Sequence, residues 1–133
     1  MKVKIKFIDL DKPNRNNQVF TKSAIECACK EIEGTSLPLV YISDIDKLGG
    51  RSMIGTANLQ EVNYPEAEFQ ALITDDSLKT CLETNEGGFT IGGLAMFDTK
   101  DNPDDIQTAN VLKITSLGYC KNPGYAGSFE IIK

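Results

Sequence analysis

Polar and apolar residues alternate from the start of the chain. Val3, Ile5 and Phe7 are separated by Lys2, Lys4 and Lys6, a period of two that predicts a strand with one wet face. Residues 11–17, with Pro13 and three asparagines, form a turn-making cluster, and Val19-Phe20 resumes extended chain. The period then becomes helical. Ala24, Ile25, Ala28 and Ile32 fall on one face, and Ser23 followed by Glu26 reads as a capping box. Gly34 stands where a left-handed cap costs least. The pattern predicts a helix over 22–33.

Beyond it the chain reads mostly as strand. Residues 37–42 are one short apolar run, as expected of a strand buried on both faces. Residues 53–59 and 67–73 are expected to pair as a hairpin. Thr74-Asp75-Asp76 opens a second predicted helix over 76–85, with Leu78, Cys81 and Leu82 on one face, and Gly87-Gly88 stops it. Residues 89–97 form a strand with Gly92-Gly93 in its middle, and 111–117 and 129–132 complete the set. Without an internal repeat or a dividing linker, the 133 residues read as a single domain, 1–133, mainly β with two helices.

Charge and composition then remove whole classes of function. Lys plus Arg is 14 against 19 Asp plus Glu, a net charge of -5, the wrong sign for a nucleic-acid module. There is no histidine, so Ser-His, Cys-His and His-metal chemistry are all excluded. The first residues lack the apolar core of a signal peptide, and no apolar run is long enough to span a bilayer. Cys27, Cys29, Cys81 and Cys120 lack the paired spacing of a zinc site; Cys27 and Cys29 point about 200° apart on a helix. Reduced, mostly buried thiols are expected, with no metal and no cofactor.

Two loops and two glycine pairs carry weaker signals. Residues 98–105 are dense in oxygen donors but lack the spacing and closing glutamate of an EF-hand. Gly49-Gly50-Arg51-Ser52 lacks the spaced glycines of a phosphate loop, and Asp44 with Asp46 is too little for acid–base work. The pairs Gly87-Gly88 and Gly92-Gly93 require either a bulge or close neighbouring strand, or something lying against the chain.

The order of five short motifs resembles a known family. They are Pro38-Leu39-Val40-Tyr41-Ile42-Ser43-Asp44, Ile54-Gly55, Phe89-Thr90-Ile91-Gly92, Ile114-Thr115-Ser116-Leu117 and Asn122-Pro123-Gly124-Tyr125-Ala126. In this order they are similar to the prohead (capsid maturation) proteases of tailed bacteriophages, which share the herpesvirus assemblin-like fold. The resemblance implies a mostly antiparallel, partly closed β-barrel with the 22–33 helix packed against it. It also implies where catalytic residues would stand, and there the chain departs from the family. Ser43 occupies the histidine position, Thr90 the serine nucleophile position and Ile114 the acidic position.

An alkoxide nucleophile needs a base within hydrogen-bond reach, so the resemblance implies a barrel without its catalytic set. The expected function is that of a non-catalytic virion protein, an auxiliary or decoration protein made in the host cytoplasm. Its expected partner is the major capsid protein or another virion protein, not nucleic acid or membrane. Two alternatives are a hydrolase using Thr90 or Ser116 with Asp44 as base, and a small intracellular ligand-binding barrel. Tyr64, Tyr119 and Tyr125 are expected on loops, where they are the candidate partner contacts.

Overall fold

The fold is taken from a computed structural model that describes residues 1–14, 17–42, 51–84, 87–97, 105–120 and 128–132. Eight strands lie in one sheet, curled into a half-barrel: β1 (Lys2–Phe7), β2 (Gln18–Phe20), β3 (Ser36–Ile42), β4 (Arg51–Asn63), β5 (Glu66–Ile73), β6 (Gly88–Phe97), β7 (Gln107–Cys120) and β8 (Ser128–Ile132). The helix α1 (Lys22–Glu31) joins β2 to β3; a 3₁₀ turn (Asp76–Leu78) and the short α2 (Lys79–Glu83) join β5 to β6.

The alternation in β1 does what it predicts. Val3, Ile5 and Phe7 are buried, while Lys4 and Lys6 pair across the wet face with Glu68 at 3.3 Å and Glu66 at 3.6 Å. β1 lies antiparallel between β5 and β8, and β4 pairs with β5 as a hairpin turning at Tyr64-Pro65. β3 pairs antiparallel with β4 but parallel with β7. Leu37 and Leu39 are buried on one face while Pro38, Val40 and Ile42 on the other are only half-buried, so β3 has one core face rather than the two its apolar run suggests.

β7 organises the other half. Leu117, Gly118 and Tyr119 each pair with β6 and with β3, while Ala109 pairs with Phe97 of β6 and Phe20 of β2. β6 therefore takes one edge of β7, and β2 followed by β3 takes the other, both parallel to it. α1 fills the interval between them and packs Ala24, Ile25, Ala28 and Cys29 into the core. Its N-cap is Thr21, whose hydroxyl accepts from the Ala24 N–H at 3.2 Å, rather than the expected Ser23. It ends at Glu31, and Gly34 follows with φ +72°, as expected for the residue that turns the chain away.

Two bulges shape the β6–β7 ladder. Ser116 faces Gly92 and Ile114 faces Gly93, leaving Thr115 as the extra residue; Asn110 is skipped in the same way before Ala109. Both extra residues lie in β7, so β6 keeps its alternation. At the first bulge the backbones approach so closely that a Cβ on Gly93 would collide with the Lys113 carbonyl oxygen. A Cβ on Gly87, at φ +91°, would lie 2.6 Å from the Cys120 oxygen. Both glycine pairs thus include a residue that a neighbouring strand requires.

Candidate functional site

Thr90 shares its row of the sheet with Gly118 of β7 and Val40 of β3. A Cβ on Gly118 would lie 2.6 Å from Ile42 Cδ1 and 3.2 Å from Thr90 Cγ2, so these two side chains close over the glycine. Ile114 stands opposite Gly93, three positions from Thr90 along β6, and is buried at 3 % exposure. An odd separation places the two on opposite faces, roughly 10 Å apart along the strand. A carboxylate at position 114 would therefore not face a nucleophile at 90. Ser43, Asp44 and Tyr125 lie outside the described residues.

Ser116, the other candidate nucleophile, is buried opposite Gly92. A Cβ on Gly92 would lie 2.5 Å from Ser116 Oγ, so the hydroxyl occupies the space that the missing side chain leaves. Its position is explained by packing.

A hollow of about 260 Å³, with Thr90 among its lining residues, opens between β6, β7, β2 and α1. Phe20, Ile25, Ala95, Phe97 and Leu112 supply apolar wall, and Asn14 and Gln18 stand at the polar side. Phe20 and Phe97 meet there with ring centroids 5.8 Å apart. None of the described residues that line it carries a charge. A neutral lining offers neither a general base nor an ion partner; it suits an uncharged apolar group.

The tyrosines separate sharply. Tyr119 lies near the end of β7, 3 % exposed, with its ring 5.2 Å from Phe89 and 6.3 Å from Tyr41. It belongs to the core, and the expectation of a loop contact is corrected on that point. Residues 116–120 are all buried, so alternation disappears there and hides the strand. Tyr64 does lie at a turn, half-buried against the core, and its hydroxyl donates to the Phe20 carbonyl at 3.2 Å. It ties the β4–β5 turn to β2. Burial, with the charge of Asp11 adding to it, raises its pKa above the ordinary tyrosine value.

The thiols also part company. Cys27 is exposed on α1 while Cys29 faces the core, where burial pushes its pKa up to about 11. Among the described residues, no group of three or more cysteine, aspartate or glutamate side chains is placed to hold a metal ion. The acidic segment 98–105 lies outside the described residues except for Asp105. No described helix is long and apolar enough to cross a membrane.

No family model, curated protein or solved structure matches the chain.

Proposed function

We propose that the chain is a non-catalytic auxiliary protein of a tailed-phage capsid, a degenerate relative of the prohead-protease barrel that acts by binding the shell. The observation that carries this reading is the setting of Thr90. The residue in the nucleophile position has aliphatic and glycine neighbours, Ile42 and Gly118, and borders a hollow with an uncharged lining. Ile114, in the acidic position, is a core side chain on the other face. A barrel with no base beside its nucleophile among the described residues retains binding as its use. The partner in this reading is the major capsid protein or another virion protein, and the place of action is the virion.

Mass spectrometry of purified particles, with co-sedimentation of the added protein, tests the reading. The chain is expected in the particle, and Thr90→Ala and Thr90→Val are expected to bind as the parent does without changing any cleavage of capsid precursors. Loss in Thr90→Ala of a proteolytic step that the purified parent performs would overturn it.

The hollow favours a second reading, a small ligand-binding barrel. Its volume and apolar walls suit an uncharged molecule of about one ring. Titration with indole or p-cresol, followed by amide shifts at Phe20, Ala95 and Leu112, separates the two readings. Saturable shifts confined to that wall support the ligand site.

A further inference from the structure

The two outer strands of the half-barrel differ in how they meet solvent. β8 is short and carries Glu130; β6 runs from Gly88 to Phe97 without a charged residue or a proline. Among the described residues β6 has a ladder only to β7, and its contact with β8 is at the Phe89 end. The edge from Gly93 to Phe97 thus has none of the charges or prolines that ordinarily keep an exposed edge from pairing. Its outward side chains are also apolar. Leu94 and Met96 are each 70 % exposed, and Val111, across from Met96, is 54 % exposed.

We propose that two copies of the chain pair antiparallel through these β6 edges, about a two-fold axis at Ala95. The sequence Gly93-Leu94-Ala95-Met96-Phe97 is self-complementary in that register. On the outer face, Leu94 of each copy lies opposite Met96 of the other. On the inner face, each Phe97, packed on Phe20 of its own copy, lies opposite the other copy's Gly93, which presents no side chain to the ring. Ala95 meets Ala95 at the axis. A two-fold contact requires one patch to fit itself, and a large–small alternation about a small central residue meets that requirement.

The paired edge is about 17 Å long. An interface of that extent stands at the small end of specific contacts. The dimer therefore forms and dissociates with concentration rather than being permanent. This association goes beyond capsid binding and requires no particle, so it stands or falls independently.

Sedimentation velocity of the purified chain across a wide concentration range tests it. The parent is expected to shift from monomer to dimer. L94K/M96K puts like charges opposite one another twice and is expected to weaken the dimer at least tenfold. L94K/M96E puts opposite charges there and is expected to restore it to within a few-fold of the parent. Both replaced side chains are mostly exposed, and melting curves confirm that each variant folds. A parent that stays monomeric throughout overturns the proposal. So does a parent dimer that L94K/M96K leaves intact, or L94K/M96E dissociating as readily as L94K/M96K.

Discussion

Phe89 of β6 and Phe129 of β8 meet edge-to-face, with ring centroids 5.3 Å apart and planes at 78°. They bridge the two outer strands of a sheet in which no ladder joins β6 to β8 among the described residues. Side-chain packing does here what backbone hydrogen bonds do elsewhere in the curl. Phe89 is fully buried and Phe129 only partly, so the two truncations should differ. Phe89→Ala is expected to cost about 3–5 kcal/mol, and Phe129→Ala roughly half as much. Urea unfolding monitored by circular dichroism gives both values, and equal costs would show that burial does not set them apart.

Tyr119 extends the same cluster. Its ring packs on Phe89 and stacks beside Tyr41, so Tyr119→Ala should destabilise the fold by about 3 kcal/mol or more. Tyr64→Phe removes only the hydroxyl that reaches the Phe20 carbonyl, and about 1 kcal/mol is expected. Thermal melts of the two variants check the contrast. A near-neutral Tyr119→Ala would return that residue to the surface.

These residues show what the sequence reveals and where it stops. Alternation in β1 and the mixed pattern of β5 are local signals, and each strand lies within a residue of its predicted span. β7 was legible only in its middle. Its two bulges break the period, and past Leu117 both faces are covered, so nothing polar marks the outside. The parallel pairing of β2 and β3 with β7 joins residues far apart in sequence and leaves no local trace. Ser23 satisfies the capping pattern, yet Thr21 caps the helix. The second helix shrinks to a 3₁₀ turn and five residues ending at Glu83; of its predicted apolar face Leu78 and Leu82 are buried and Cys81 is half-buried. For the site, residue identity alone gives Thr90 and Ile114 no shared feature. Only the register showed that 90 and 114 lie on opposite faces.

The glycine pair in β6 allows a test of the bulge. A methyl on Gly93 meets the Lys113 carbonyl oxygen, a backbone atom that cannot move without breaking the ladder. A methyl on Gly92 meets Ser116 Oγ at 2.5 Å, and that hydroxyl can rotate. Gly93→Ala is expected to cost about 3 kcal/mol and Gly92→Ala about 1 kcal/mol. Equilibrium unfolding of the pair decides, and a reversed order would place the bulge elsewhere.

Cys29 gives the protein a stability that depends on alkaline pH. Its thiol has a folded-state pKa of about 11 against an ordinary value of 9.0, raised by burial. The folded chain thus holds the proton more tightly than the unfolded chain. Stability is complete below pH 9 and falls as pH rises from 9 towards 11, by about 3 kcal/mol at most. Cys29→Ala should lose a little stability near neutral pH and flatten that decline. Tyr64, also raised, contributes in the same direction at the upper end, so Tyr64→Phe is the control for its share. The exposed Cys27 thiol should react rapidly with Ellman's reagent in the native protein, whereas Cys29 should react only on unfolding. Urea titrations at pH 7, 9 and 10.5 measure the decline, and an identical slope in parent and Cys29→Ala would remove Cys29 as its source.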